Sequence, residues 1–307
     1  MWPPVGLELP AAAPTSAAPC ALTALLLTER LADPALAGAL PINSLRNAAL
    51  LAASTPLAAM VDVDLAPSAS LAAQVLGPAG GSAAEVLRGC EEERGSVWIL
   101  PAWETHKRLG VADGTVAAEQ AIQGDKANLR RLVDSQHLHY FAKAAYSRGH
   151  AATNFSRWLE EQAPYVVPYV INYEPWFIIS RRRSPAYDVR FRGYGWNKVA
   201  QVALVAASNF TFRVHPAAWL VHRPHERSRG QELYSGPAAD GGAAGQLEET
   251  RLWKGSRASL SRLFHRRVST LRHVIIRDMR RGTYRAALDP ASEHCRAVLP
   301  WWGQVRR

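Results

Sequence analysis

Two aspartates, Asp62 and Asp64, stand one residue apart in PLAAMVDVDLAPS, residues 56–68. An unpaired carboxylate is costly to bury, so such groups lie in water, face a cation or bind a metal. Side chains alternate along an extended strand, which would put both carboxylates on one side of a sheet. Two converging carboxylates suit a hard divalent cation, Mn²⁺ or Mg²⁺. The same residues also fit a strand that runs out into a polar turn at Pro67. A D-x-D triplet is expected about once by chance in a chain of this size, so the pair needs company before it carries a function.

The surrounding pattern predicts the elements that would hold it. Pro41 and Asn43 offer a helix start, and Leu45, Ala48, Ala49 and Ala52 form an apolar helical face ahead of the strand into the aspartates. SASLAAQVLG reads as a short helix stopped at Gly77-Pro78, and SVWILPAWET as one buried strand with Glu104 at its end. Residues 110–135 read as helical or irregular and polar. YVVPYVINYEPWFIISR holds one or two strand segments interrupted by Pro168 and Pro175, and GYGWNKVAQVALVAAS a glycine turn followed by a helix. FTFRVHPAAWLVHRPH reads as strand, turn and strand, with His222 closing the second strand. SRGQELYSGPAADGGAAGQ reads as a flexible connection, and 251–285 as a helix with Leu263, Phe264, Val268, Leu271, Val274 and Ile275 near helical spacing. Strands alternating with helices in this order predict an α/β domain. Its expected extent is 41–285, with the connection near 229–250, an Ala/Pro-rich and poorly patterned segment over 1–40, and a tail over 286–307.

With 307 residues, 48% of them hydrophobic, the chain can bury a substantial core and is not of disordered composition. A formal charge of +10 points to an anionic partner: a nucleotide, nucleic acid, phospholipid or acidic glycan. RLFHRRVSTLRHVIIRDMRR alone would give nucleic acid only salt-dependent, unspecific affinity, and no recognised nucleic-acid motif accompanies it, so none is expected as a partner. Cys20, Cys90 and Cys295 form neither a disulfide framework nor a zinc pattern. The sequons at Asn154 and Asn209 would permit glycosylation in a secretory lumen. No apolar run reaches the length of about 18 residues that would suggest a membrane span. The ten tryptophans offer flat apolar faces for carbohydrate, or simply core.

Several stretches together resemble glycosyltransferase family 49, the β-glucuronyltransferase type of dystroglycan-modifying enzymes. PINSLRNAAL, TPLAAMVDVDLAPS, ILPAWET, GHAATNFSRW, NYEPWFIISRRRSPAYDVRFRGYGWNKVAQ and FRVHPAAWLVHRPH carry the resemblance across residues 41–228, with LRHVIIRDMRRGTY a further match to its closing helix. The resemblance implies a GT-A fold, a mixed sheet flanked by helices, that uses Mn²⁺ (or Mg²⁺) and a UDP-sugar donor and inverts the anomeric centre. It also implies a glycan or glycoprotein acceptor and a Golgi-lumenal, type II membrane protein in full-length form. Asp62 and Asp64 match the metal and diphosphate motif, and His222 the histidine that completes the metal site. Asn43, Arg46 and Asn47 match the stretch that faces the nucleotide-sugar. The family domain opens with a strand, helix and strand upstream of this stretch. Residues 1–40 do not resemble that unit, so the expectation is an N-terminally truncated chain, its anchor missing, with weak uridine selectivity and slow transfer.

Inverting transfer needs a base for the acceptor hydroxyl, usually a carboxylate. Glu174 and Glu104 are the candidates, with Asp188 behind them. Tyr173 and Trp176 flank Glu174 as surfaces for a sugar ring. The glycine turn would bring Trp196 to the acceptor and set Asn197 and Lys198 near hydroxyls or an anionic group, Lys198 on the donor side. The alternative is a catalytically inactive or truncated relative that binds a glycan or a partner protein.

Overall fold

Short apolar runs, each broken after three to five residues, build the sheets. The computed structural model describes residues 22–31, 34–76, 81–92, 95–235, 249–251, 257–290 and 293–294. Helix α1 spans Ile42–Ala52; the chain then forms β1 (Leu57–Ala59), turns through the two aspartates and forms β2 (Leu65–Pro67). Helices α2 (Ala69–Leu76) and α3 (Gly81–Glu91) precede β3 (Ser96–Leu100) and β4 (Ala102–Thr105). Then come α4 (Gly110–Gln123), α5 (Lys126–Asp134), β5 (Leu138–Tyr140), α6 (Phe155–Glu160), β6 (Tyr165–Val167) and β7 (Trp176–Ser180). Helix α7 (Asn197–Ala207), β8 (Thr211–Val214), β9 (Leu220–His222) and α8 (Arg229–Ser235) follow. A small ribbon, β10 (Glu249–Arg251) with β11 (Arg257–Ser259), leads into the long helix α9 (Leu260–Arg280).

One sheet has the order β1-β7-β3-β8-β6 and a second the order β2-β9-β4-β5. Each is mixed, with β3 parallel to β8 in the first and β4 parallel to β9 in the second. Three segments therefore cross from the first sheet to the second, β1 to β2, β3 to β4, and β8 to β9, and two longer connections return, β2 to β3 and β5 to β6. The predicted single strand over SVWILPAWET is thus two strands in two sheets. Pro101 causes the break, because it has no amide to continue the ladder while its carbonyl accepts the Leu220 amide at 2.9 Å. The predicted strand into the aspartates likewise stops at Ala59, and Asp62 and Asp64 lie in the crossing turn, with Val63 fully exposed at its tip. The result is a mixed α/β fold of two sheets flanked by helices, consistent with a GT-A-like transferase.

Five tryptophans, Trp98, Trp103, Trp158, Trp176 and Trp219, are core residues. Trp158 and Trp219 also satisfy their indole N–H groups, on the carbonyls of His215 (2.8 Å) and Ala121 (3.1 Å). The predicted flexible connection begins instead as α8, whose Leu233 is buried beside Phe264 and Val268 of α9. Gly38 lets the α8 backbone approach, since a Cβ there would meet the Arg229 carbonyl oxygen at 2.9 Å. The rest of that connection, the start of the Ala/Pro-rich segment, most of the tail, Cys20 and Cys295 lie outside the described residues. Among the described residues no helix is long and apolar enough to cross a membrane.

His215, buried after β8, accepts the Ala217 amide on Nδ1 at 3.2 Å and packs against Trp98. Burial pulls its pKa from the usual 6.5 down to about 4. Between those values the unfolded chain binds a proton that the folded chain refuses, so stability should fall as pH drops through the window. Denaturant unfolding should show a loss of up to about 3 kcal/mol from this group. His215→Asn should flatten that acid limb; an unchanged slope in the variant would assign the acid sensitivity to other groups.

Candidate active site

The crossing turn between β1 and β2 presents its two carboxylates to different neighbours. The Leu65 amide donates to the Asp62 carbonyl (3.0 Å) and the Arg223 amide to the Asp64 carbonyl (2.9 Å), which ties the turn to the end of β9. The antiparallel register pairs Leu65 with His222, so Asp64 comes to rest beside that histidine. His222 Nε2 lies 3.3 Å and His225 Nε2 3.0 Å from the same Asp64 oxygen, Oδ2. The bond from His222 pulls the Asp64 carboxyl down to about 2; burial opposes this, and the charge of His222 and a bond from His225 add to the lowering. The ligand atoms of these three side chains all lie within 4.8 Å of one another. One carboxylate oxygen and two imidazole nitrogens are a donor set that could hold a divalent first-row metal ion.

Asp62 faces cations instead. Its Oδ2 receives Lys198 Nζ at 3.0 Å and its Oδ1 the Arg46 guanidinium at 3.2 Å. Burial would raise its pKa, but Lys198 and then Arg46 outweigh burial and hold it below the usual carboxylate range. The two aspartates therefore do not converge as a strand period would have them do. Arg46 also donates to Asn43 Oδ1 (3.0 Å) and Asn197 Oδ1 (2.7 Å), which fixes its direction. The amides of Asn43 and Asn47 are spent on backbone. Asn43 donates to the Asp188 carbonyl at 2.8 Å, and Asn47 exchanges two bonds with Tyr187 at 2.8 and 2.9 Å. Both anchor α1 and leave Arg46 to reach the turn.

Lys198 is placed by the glycine turn before α7. Gly195 sits at φ +96°, and a Cβ there would meet the Tyr234 ring at 2.5 Å. The Lys198 ammonium lies over the Trp176 ring, 3.9 Å from its centroid. His150 stacks on Trp176 with centroids 5.6 Å apart. Trp176 is buried between these partners and offers no face to a sugar, contrary to the expectation from its sequence context. Tyr173 is likewise no platform: it is fully buried, with its hydroxyl 2.8 Å from Thr153 Oγ1. The two rings enter different clusters, Tyr173 with Phe212 and Trp158, and Trp176 with Trp98 and Ile178. Trp196 is only partly buried, with Tyr146 edge-on at 6.5 Å.

The two candidate bases differ in their ties. Glu104 accepts the Ala142 amide at 3.0 Å and lies 3.4 Å from His139, which holds it to β5 and the turn that follows. Glu174 Oε1 lies 3.5 Å from Nε2 of the buried His150 and, among the described residues, has no backbone donor. Glu174, Asp62 and Asp64 all act on the Tyr194 hydroxyl, which desolvation first and then these charges and Tyr234 raise. The weaker candidate, Asp188, is consumed by Arg190 (2.6 Å) and the Tyr284 hydroxyl (2.8 Å). Sequence reasoning missed His225, although His222-Arg-Pro-His225 was in plain sight as a pair of imidazoles three residues apart. It also passed over His150, inside GHAATNFSRW, and Arg272 of α9, which lies against Trp196.

The sequence family described as "Glycosyl-transferase for dystroglycan" matches residues 15–233. The chain belongs to this family. The match starts upstream of Pro41, so the poorly patterned segment lies partly inside it, and it ends within α8, before α9. The xylosyl- and glucuronyltransferase LARGE2 of Rattus norvegicus is 36% identical over 189 residues, 61% of this chain and 25% of that protein. LARGE1 of Mus musculus is 34% identical over 189 residues, 61% of this chain and 22% of that protein. LARGE1 of Homo sapiens is 33% identical over the same length and shares. The chain thus spans about a quarter of the length of the curated relatives it matches.

The division of labour in this glycosyltransferase-family site is open to titration. Asp64→Asn, His222→Ala and His225→Ala should each weaken Mn²⁺ binding at least about tenfold, as loss of a metal partner does. Asp62→Asn should leave affinity for the free ion nearly intact while releasing Arg46 and Lys198. Calorimetry showing equal losses for Asp62→Asn and Asp64→Asn would put both carboxylates on the ion and contradict the arrangement.

Proposed function

We propose that the chain is a metal-dependent, inverting glycosyltransferase that moves a sugar, glucuronic acid first among the candidates, from a UDP-sugar to a glycan or glycoprotein acceptor. The observation that carries this reading is the Asp64, His222 and His225 cluster set directly beside Asp62, Arg46 and Lys198. Family membership supports the reaction class, and the names of the relatives support a glucuronyl or xylosyl group. The proposed setting is the Golgi lumen, with the full-length protein anchored as type II. The proposed catalytic body is 41–285, because α9 buries Phe264, Val268 and Ile275 in one cluster with Phe191, Ala200 and Leu233.

The donor atoms of Asp64, His222 and His225 fit Mn²⁺, which when bound would act as a Lewis acid toward the leaving diphosphate. Arg46 and Lys198 bring two more positive charges to the same turn, and a diphosphate is the ligand class that this concentration of charge favours. Asn43 and Asn197 direct Arg46, and Asn47 anchors α1 to the Tyr187 backbone, so their contribution to donor binding is orientation. Glu174 takes the role of base: its carboxylate accepts the proton of the attacking acceptor hydroxyl, with the buried His150 ring beside it. Glu104, tied to the Ala142 amide, shapes the neighbouring loop.

The chain should release UDP from UDP-glucuronic acid in the presence of Mn²⁺ and a glycan acceptor. Glu174→Gln should lower transfer by about 10²–10⁴-fold while Mn²⁺-dependent UDP affinity stays at the wild-type value. Undiminished transfer in Glu174→Gln would remove Glu174 from the chemistry. Absence of Mn²⁺-dependent UDP binding in the wild-type chain would overturn the transferase reading.

A further inference from the structure

Arg272 lies on α9, past the residues that the family match covers. Its guanidinium is stacked on Trp196, 3.9 Å from the ring centroid, and one terminal nitrogen donates to Asn172 Oδ1 at 2.8 Å. Its Nε is buried and has no hydrogen-bond partner. Among the described residues no carboxylate forms an ion pair with it. A partly desolvated guanidinium with one neutral acceptor is an incomplete arrangement, because a buried cation is costly until a counter-charge meets it. The planar fork of arginine is shaped for a carboxylate; with Nε buried and the ring face on Trp196, the terminal nitrogens, one of them already on Asn172, are the donors to meet it.

The surroundings define what could bring that carboxylate. Tyr146 is near enough to both Arg272 and the proposed base Glu174 to feel their charges. Burial first and then the charge of Glu174 push its hydroxyl up to about 12, against the charges of Arg148 and Arg272. The Tyr146 ring meets Trp196 edge-on, and the two are only partly buried. Aromatic surfaces, a carboxylate that accepts from hydroxyls and a guanidinium lacking its anion are complementary to one class of ligand, a sugar ring that bears a carboxylate.

We propose that Arg272 binds the carboxylate of a uronic acid residue lying against Trp196 and Tyr146, and so makes the site selective for an acidic sugar. The assignment rests on the transferase reading for the part Glu174 plays, but the binding itself does not depend on turnover. A uronate could enter as the donor sugar or as a unit of the acceptor glycan, and the chemistry at Arg272 is the same in either case.

The test uses the full chain with methyl β-glucuronide and methyl β-glucoside, titrated without metal or nucleotide. Wild type should prefer the glucuronide by about tenfold or more, the scale of a charge-assisted bidentate contact. Arg272→Met should erase the preference, and Arg272→Lys, which keeps the charge but loses the fork, should retain only part of it. Mn²⁺–UDP affinity should be unchanged in both variants, which shows that they fold and separates this proposal from the metal site. A second comparison, UDP-glucuronic acid against UDP-glucose with Mn²⁺, distinguishes the sources. A preference that Arg272→Met abolishes assigns the carboxylate to the donor. Equal affinities, with the glucuronide preference persisting at saturating Mn²⁺–UDP, assign it to the acceptor. Equal binding of the two methyl glycosides by wild type would overturn the proposal without recourse to any variant, as would an undiminished preference in Arg272→Met. Failure of wild type to bind Mn²⁺–UDP would sink the transferase reading and leave the glycoside result standing.

Discussion

Asp62 is a partly buried carboxylate, and two cations from separate helices meet it. Arg46 arrives from α1 and Lys198 from the first turn of α7. Removing either partner would leave a charge poorly solvated, which is far more costly than the pair is worth as a surface bridge. That requirement reaches outward through the structure. Arg46 is directed by Asn43 and Asn197, Asn43 is held by the Asp188 carbonyl, and Lys198 is positioned by a turn in which Gly193, Gly195 and Trp196 all take positive φ. Helix α1, the loop before α7 and the crossing turn are thus coupled through one negative charge.

The second constraint is the seam between the sheets. Three segments leave the first sheet and enter the second, and each does so where its ladder cannot continue. Pro101 lacks an amide, the 60–64 turn folds back on the Asp62 carbonyl, and His215-Pro216 ends β8. A chain that changes sheets must expose irregular backbone, and irregular backbone at the carboxyl end of parallel strands is where open α/β folds place ligands. The register of β2 against β9 then decides which groups meet. A slip of one residue would turn His222 away from Asp64 and disperse the cluster.

Much of this was legible in the sequence, though unevenly. The α/β class, the helix at 42–52, the glycine turn before α7 and the strand ending in His222 followed from periodicity and turn residues. The family resemblance pointed to Asp62, Asp64, Arg46 and His222. The separate fates of the two aspartates were not legible, because a period-two reading assumes an extended chain and the residues lie in a turn. Tyr173 and Trp176 looked like a sugar platform from their neighbours alone; only the packing of Thr153, His150 and Lys198 around them shows that they are core. Asn43 and Asn47 illustrate the same limit, since residues that read as ligand contacts can serve by fixing backbone. Partners from distant segments, such as Arg272 on Trp196, are invisible to local pattern by construction.

The central claim is that the crossing turn and the end of β9 make one ion site from Asp64, His222 and His225. Electron spin-echo spectroscopy of the Mn²⁺-loaded chain reads it directly, because imidazole nitrogens bound to the ion modulate the echo. The account predicts coupling from two histidine nitrogens, reduced to one in His225→Ala and in His222→Ala. A Mn²⁺ signal with no histidine coupling, or one unaltered by either substitution, would contradict it.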